Sequence, residues 1–146
     1  MEPLGRHIMI ELWGCSQKIN DPDSVRESIV SAVATIEATI LNLHVHAFRP
    51  HGVTGFAVLA ESHFAVHSWP EQGYLAADVF TCRMATNFDD AIDVLRRIFQ
   101  PDRIEVQEVQ RGVHPDSGII PEIRRRSWSL VSPDATSSEL VANPRG

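Results

Sequence analysis

The sequence predicts an α+β fold in which two helices pack on one face of an antiparallel sheet. Strand-like segments outnumber helical ones, and their approximate order is β-α-β-β-β-β-α-β. Short turns join most of the strands, which favours antiparallel pairing between neighbours. The predicted architecture is therefore an α/β sandwich whose sheet has one face covered by helices and one wetter face.

The first strand and the first helix carry the clearest periodicity. Residues 5–13 alternate between apolar and other side chains, with Ile8, Ile10 and Leu12 on one face, as in a half-buried strand. Asp21-Pro22 supplies a helix start, since proline loses nothing at the first position of a helix. From Ser24 to about residue 40 the apolar residues recur at helical spacing, which predicts an amphipathic helix with this buried stripe: Val25, Ile29, Val33, Ile36 and Ile40.

The remaining elements follow from turn residues and alternation. Strands are predicted over about 43–49, 53–60, 62–69 and 74–82, with turns at Pro50-His51-Gly52 and over 70–73. Asn87 is the expected N-cap of a second helix, and a last strand covers about 103–109. The expected core stripe of that helix is Phe88, Ile92, Leu95 and Ile98 or Phe99. Beyond Gly112 the pattern weakens, and from Ser132 onward the composition predicts disorder.

Composition excludes several classes of function. The 146 residues include 13 Lys plus Arg against 19 Asp plus Glu, a formal charge of −6, so no nucleic-acid partner is expected. No apolar run approaches the roughly 20 residues that span a bilayer, and the amino terminus does not resemble a signal peptide. We therefore expect a cytoplasmic protein without a membrane partner, in which Cys15 and Cys82 are free thiols.

Chemically versatile residues concentrate between residues 61 and 82. If residues 70–73 form a four-residue loop, position 69 pairs with 74, 67 with 76 and 61 with 82. That register places Cys82 across from Glu61 and beside Ser62. Period-two geometry puts His63 and His67 on one face, so a hydroxyl, a thiol and an imidazole are expected to converge. A slip of one residue in the hairpin would remove this convergence.

These residue types alone leave three interpretations open. A Ser-His hydrolase is one, although Ser62 does not stand in the Gly-x-Ser-x-Gly pattern of a nucleophile elbow. A metal site is the second, built from four histidines of the predicted strands at 43–49 and 62–69: His44, His46, His63 and His67. In the third interpretation these polar residues simply line the wetter face of the sheet.

One long motif consists of Ala-Glu-Ser-His at 60–63, His-Ser-Trp-Pro-Glu-Gln-Gly-Tyr at 67–74 and Asp-Val-Phe-Thr-Cys at 78–82. This motif resembles the prokaryotic S-adenosylmethionine decarboxylase proenzymes, which depend on a pyruvoyl group. Leu-Gly-Arg-His at 4–7, Pro-His-Gly-Val-Thr-Gly at 50–55 and Glu-x-x-Arg-Gly at 108–112 also resemble the family.

The resemblance implies that the chain cuts itself between Glu61 and Ser62. The Ser62 hydroxyl attacks the preceding carbonyl, and elimination and hydrolysis leave a pyruvoyl group at the new amino terminus. The expected domain covers residues 1–112, the expected products are a β chain of 1–61 and an α chain of 62–146, and 113–146 is a partly disordered extension. His67 matches the family's processing histidine and Cys82 its proton donor.

The resemblance also implies the substrate contacts. Phe48 matches an aromatic residue that stacks on adenine, Glu71 an acid that holds the ribose hydroxyls, and Thr54 a position that is commonly serine. The chain departs from the family at Arg83, where glycine is usual, and at Arg49 and His51, which flank the expected adenine site. The basic tail, with Arg124, Arg125, Arg126 and Trp128, is also unusual and is expected to be a solvated surface segment.

The implied activity is that of a carboxy-lyase which converts S-adenosylmethionine to its decarboxylated form and CO2 for polyamine (spermidine) biosynthesis. The alternative is the same fold and pyruvoyl chemistry acting on arginine or ornithine. The covalent pyruvoyl group derived from Ser62 is the expected cofactor, without metal or pyridoxal phosphate. The expected partners are a small amino-acid substrate and a second copy of the chain, in a homodimer of αβ units.

Overall fold

The structure is a computed structural model that describes residues 2–130 and the short strand at 141–142. These residues form one antiparallel sheet and two α-helices, in agreement with the predicted fold class. The helices are α1 (Pro22–Thr35) and α2 (Asp89–Phe99). The strands are β1 (Gly5–Trp13), β2 (Ile40–Ala47), β3 (Val53–Leu59), β4 (Ser62–Trp69), β5 (Tyr74–Thr81), β6 (Arg103–Arg111), β7 (Ile123–Ser129) and β8 (Val141–Ala142).

The order of strands across the sheet is β2-β3-β4-β5-β1-β6-β7-β8, with every described pair antiparallel. The hairpins β2–β3–β4–β5 occupy one side, and β1 inserts between β5 and β6. This arrangement brings the amino-terminal strand beside both β5 and β6. Within the described residues, no helix has the length and apolar character needed to cross a bilayer.

The helices cover one face of the sheet. Alternate residues of β1, such as Ile8 and Ile10, are fully buried beneath them and belong to one continuous core. Gly55 lets α1 pack tightly on β3, because a Cβ atom there would lie 2.5 Å from the Cδ1 atom of Ile29. The opposite side, which we call the open face, exposes large apolar side chains at Trp13, Phe48, Phe56, Val58 and Trp69.

The boundaries of the first helix differ from the prediction. The α1 helix ends at Thr35 rather than near residue 40, because Glu37 adopts a left-handed conformation (φ 55°) and the chain reverses there. Ile40 accordingly begins β2 rather than ending the helix. At the start of α2, Asn87 accepts a hydrogen bond of 2.9 Å from the Asp89 N–H, but the cap position itself is Phe88.

The chain beyond Gly112 contributes to the same sheet. Strand β7 pairs with β6 along its length, and Trp128 is buried to 7% exposure against the core. Arg126 forms an ion pair of 2.9 Å with Asp89, the first residue of α2. The segment 123–129 is therefore a strand of the sheet. The disorder predicted from Ser132 onward falls on residues that lie outside the described part of the chain, except for the short strand at 141–142.

Candidate active site

The turn between β3 and β4 holds the Glu61–Ser62 peptide bond under backbone strain. Ser62 has φ 150°, a region in which side-chain-bearing residues are rare and which costs about 1–3 kcal/mol. Two contacts with Thr39 hold the turn in place. The Ala60 N–H donates to the Thr39 carbonyl at 2.9 Å, and the Thr39 N–H donates to the Glu61 carboxylate at 3.1 Å. The residue before the strained bond is thus fixed from outside the hairpin.

The predicted hairpin register is confirmed. Trp69 pairs with Tyr74, His67 with Ala76 and Ser62 with Thr81. The next residue, Cys82, donates its backbone N–H to the carbonyl oxygen of Glu61 at 3.3 Å. A donor at this position stabilises negative charge on the Glu61 carbonyl oxygen, as in an oxyanion hole. Cys82 itself is exposed, with a free thiol.

His67 lies at the other end of β4 from Ser62. The two residues are five positions apart along an extended strand, a distance of about 16 Å. The expected convergence of hydroxyl, thiol and imidazole therefore fails for His67 within one chain, because period two determines the face of a strand and not the position along it. His67 Nδ1 instead lies 2.5 Å from the Thr54 hydroxyl, and its ring contacts those of Phe48 and Trp69 with centroids 5.8 and 4.1 Å away.

The remaining predicted residues lie at the His67 end of the sheet. Glu71 belongs to the short 3-10 helix Pro70–Gln72 that follows β4. Its carboxylate forms an ion pair of 2.9 Å with His51, one of the residues in which the chain departs from the family. The candidate residues thus divide into two groups. Glu61, Ser62 and Cys82 lie at one end of the hairpin, and Phe48, Thr54, His67 and Glu71 lie at the other.

An aromatic row lies on the open face and consists of Trp13, Tyr74, Trp69, His67 and Phe48. Of these, Trp13, Tyr74 and Trp69 were not predicted as part of the site. Trp13 stacks on Tyr74 at 4.2 Å, and Tyr74 stacks on Trp69 at 5.2 Å. The Tyr74 hydroxyl donates to the Glu11 carboxylate, and burial together with this carboxylate raises the pKa of Tyr74. The alternation of β1 in the sequence places Trp13 and Glu11 on one face. It does not predict that β1 lies beside β5, where both side chains contact Tyr74.

A second polar cluster lies on the open face of β1, β4 and β5. The Asp78 carboxylate contacts His7 Nε2 at 2.8 Å and His63 Nε2 at 3.0 Å. These three residues are close enough together to hold a metal ion, whereas the sequence had suggested His44, His46, His63 and His67.

The hydrogen bonds of this cluster favour a different role. Arg111 donates to His7 Nδ1 at 3.0 Å, which places the His7 proton on Nε2, where it is donated to Asp78. A metal ion would need that Nε2 lone pair, and the Arg111 guanidinium would repel it. The geometry therefore favours a hydrogen-bonded chain from Arg111 through His7 and Asp78 to His63.

Comparison with known proteins identifies the family of this chain. The family model described as S-adenosylmethionine decarboxylase matches residues 6–112. An S-adenosylmethionine decarboxylase proenzyme of Thermomicrobium roseum is 50% identical over 117 residues, which cover 80% of this chain and all of the relative. The proenzyme of Methanococcus vannielii is 46% identical over 114 residues, which cover 77% of this chain and 93% of the relative.

A solved structure supports the same relationship. The crystal structure of the adenosylmethionine decarboxylase from Aquifex aeolicus superimposes with a TM-score of 0.71 at 34% identity, and the match covers 82% of this chain and 100% of that one. The sequence and the fold of this chain both match those of its relatives. The chain therefore belongs to the S-adenosylmethionine decarboxylase family.

Proposed function

We propose that this protein is a self-processing carboxy-lyase that removes CO2 from S-adenosylmethionine by means of a pyruvoyl group formed from Ser62. The observation that carries the proposal is the contact of the Glu61 carbonyl with the Cys82 N–H, directly before a residue of strained backbone. Membership of the family supplies the reaction class. The chain's own residues supply the groups that the reaction needs.

Self-cleavage begins when Ser62 Oγ attacks the carbonyl carbon of Glu61. The charge that develops on the Glu61 oxygen is stabilised by the Cys82 N–H, and breaking the C–N bond converts the amide to an ester. Removal of the Ser62 Cα proton then expels the Glu61 carboxylate and leaves dehydroalanine at position 62. Addition of water and loss of ammonia convert that residue to a pyruvoyl group, and the products are chains 1–61 and 62–146.

The same end of the hairpin is then suited to decarboxylation. The pyruvoyl group supplies a carbonyl that condenses with the substrate α-amine and accepts electrons as CO2 leaves. Cys82 is the expected proton donor to the substrate Cα atom, because the pairing of β4 with β5 places it beside residue 62, where the pyruvoyl group forms. Neither a metal ion nor pyridoxal phosphate is part of this mechanism.

The separation of the two residue groups supports a homodimer of αβ units. Ser62 and Cys82 are about 16 Å from His67 within one chain, so a single copy does not unite the nucleophile with the processing histidine. A second copy stacked on the open face, related by a two-fold axis that runs across the strands, brings opposite ends of the two hairpins together. The exposed apolar side chains of the open face suit such an interface: Trp13, Phe48, Phe56, Val58 and Trp69.

Substrate recognition is assigned to the His67 end of the partner subunit. Phe48 and its neighbours in the aromatic row offer ring faces to an adenine ring and to the sulfonium cation. Glu71 is the expected acceptor for the ribose hydroxyls, although it is paired with His51 in the free protein. We therefore expect substrate binding to replace the His51–Glu71 contact, while Thr54 continues to hold the His67 ring.

The substrate alternative of arginine or ornithine has no support among the relatives reported above. They are S-adenosylmethionine decarboxylases, and the matches extend over nearly their full length. We accordingly assign the product to polyamine (spermidine) biosynthesis.

Release of CO2 from carboxyl-labelled substrates tests this assignment. The purified protein is incubated separately with S-adenosylmethionine, arginine and ornithine, and the Ser62→Ala variant serves as the control. We expect CO2 from S-adenosylmethionine alone, and none from the variant. Release from arginine or ornithine at a comparable rate would contradict the substrate, and an active Ser62→Ala variant would contradict the mechanism.

A further inference from the structure

The segment that follows Cys82 is a loop whose conformation depends on side chains from elsewhere in the chain. Residues 82–88, which we call the Cys82 loop, connect β5 to α2. Within the loop, the Thr86 N–H donates to the Arg83 carbonyl at 3.4 Å, a weak local bond. Met84 is 39% exposed, so packing holds this part of the loop only partly. Two arginines make the stronger contacts.

Arg6 holds the loop from the side of β1. Its Nη1 atom donates to the carbonyl oxygens of Met84 at 2.9 Å and Thr86 at 2.6 Å. Its Nε atom donates to the Glu108 carboxylate at 2.7 Å, which fixes the guanidinium against β6. The same guanidinium lies 5.1 Å from the centre of the Phe88 ring, at the end of the loop. Arg6 thus connects the loop to two strands of the sheet.

Arg83 holds the loop from the opposite side. Its Nη1 atom donates to the carbonyl oxygen of Glu37 at 3.2 Å, and its backbone N–H donates to the Thr81 hydroxyl at 3.0 Å. Glu37 lies two residues before Thr39, which contacts both Ala60 and Glu61. The connection between α1 and β2 therefore supports the Cys82 loop and the Glu61–Ser62 turn together. A glycine at position 83 could not make the side-chain contact.

We propose that Arg6 and Arg83 are positioning residues that clamp the Cys82 loop from two sides and so hold the Cys82 thiol in line with residue 62. The proposal rests on the function proposed above, in which Cys82 delivers a proton to the substrate. A proton transfer requires donor and acceptor within hydrogen-bond reach, and a displacement of about 1 Å can cost up to about a hundredfold in rate. Neither arginine hydrogen-bonds to the Glu61–Ser62 peptide group, so both act through the loop.

The experiment compares Arg83→Ala and Arg83→Lys with Arg97→Ala, a control arginine on the exposed surface of α2 whose side chain is 64% exposed. Arg6→Lys is a further variant that retains a donor toward the loop carbonyls. For each protein the extent of cleavage, kcat and KM for S-adenosylmethionine are measured, together with the rate at which iodoacetamide modifies Cys82. Cys15 serves as the internal reference, because burial raises the pKa of its thiol to about 12.

For Arg83→Ala we expect complete cleavage, a kcat lowered about tenfold and a KM within about twofold of the wild type. Modification of Cys82 should become at least about threefold faster, since a released loop lets the already exposed thiol turn away from its neighbours and meet the reagent from more directions. Arg83→Lys should lie between Arg83→Ala and the wild type, because an ammonium can still donate to the Glu37 carbonyl. Cys82→Ala, which removes the proton donor, marks the lower limit of kcat.

Two results would overturn the clamp. One is an Arg83→Ala protein whose kcat and Cys82 modification rate equal those of Arg97→Ala. The other is a lowered kcat with an unchanged rate of Cys82 modification, which would show that Arg83 affects catalysis without holding the Cys82 loop. Failure of the proposed function is distinguishable, because the wild type itself would then release no CO2. The modification rates would still show whether the arginines hold the loop.

Discussion

The backbone N–H of Cys82 donates a 3.3 Å hydrogen bond to the carbonyl oxygen of Glu61. One residue therefore contacts the bond proposed to break and also carries the thiol proposed to act afterwards on the substrate. The contact is a consequence of the β4–β5 register, in which Ser62 pairs with Thr81. Self-cleavage and decarboxylation thus depend on the same hairpin, although they use different atoms of Cys82.

Backbone strain at Ser62 predicts a difference between two inactive variants. Both Ser62→Gly and Ser62→Ala lack the hydroxyl and should remain uncleaved. Glycine adopts φ 150° without steric cost, whereas alanine does not, so Ser62→Gly should be more stable by about 1 kcal/mol. Urea unfolding monitored by circular dichroism measures the difference. Equal urea midpoints of unfolding for the two variants would contradict backbone strain at position 62.

The proposed two-subunit site predicts complementation between inactive variants. Ser62→Ala and His67→Ala should each be inactive alone, because each removes one half of every site. In a heterodimer of the two, one site combines the intact Ser62 of one subunit with the intact His67 of its partner. Random pairing after co-expression should restore about a quarter of wild-type activity.

The control for this experiment is co-expression of Ser62→Ala with Cys82→Ala, two residues assigned to the same end of one subunit. No intact site can form from that pair, so activity should stay at the level of the variants alone. Absence of complementation by the first pair, with heterodimers detected by mass spectrometry, would contradict the shared site.

Cys15 predicts a loss of stability at alkaline pH. Burial, together with the Asp102 carboxylate, raises the pKa of its thiol from 9.0 to about 12. The unfolded chain therefore releases this proton at lower pH than the folded protein. The corresponding stability is fully present below pH 9 and is lost as the pH rises from there through about 12. Thermal melts at pH 8.5 and 10.5 should show a larger decrease in Tm for the wild type than for Cys15→Ala. Equal decreases would exclude this contribution.

Trp128 predicts that the strand beyond Gly112 stabilises the folded domain. Trp128→Ala should lower the free energy of unfolding by about 3 kcal/mol, because it leaves a cavity beneath β7. Within the described residues, the Trp128 Nε1 atom is buried without a hydrogen-bond partner. Trp128→Phe, which removes that donor and keeps a ring, should therefore cost less than about 1 kcal/mol. Chemical denaturation compares the two, and a neutral Trp128→Ala variant would refute the role of β7.

Local signals in the sequence predicted much of the fold. The limits of β1 and the register of the β4–β5 hairpin followed from alternation and from a four-residue loop. Helix α1 was predicted too long because Ile36 and Ile40 continue the helical spacing after the chain has turned at Glu37. Strand β7 was missed because its three consecutive arginines conceal any alternation of apolar and polar residues.

The sequence proposes members for the candidate site but does not predict how they are arranged. The resemblance identified Ser62, His67 and Cys82, and the hairpin placed the serine beside the cysteine. His67 lies five positions further along β4 than Ser62, and this spacing alone could have predicted that the two side chains do not meet within one chain. The contacts of Arg6 with Met84 and Thr86 connect positions about 80 residues apart in sequence and arise only from the insertion of β1 between β5 and β6.

Intact-mass measurement of the purified wild-type protein is the most direct test of the central claim. We expect two chains, residues 1–61 with an ordinary carboxyl terminus and residues 62–146 with a keto group in place of the amino terminus. The longer chain should therefore resist amino-terminal sequencing and react with a hydrazine reagent. A catalytically active preparation that consists of the single uncut chain, with an unmodified serine at position 62, would contradict the account.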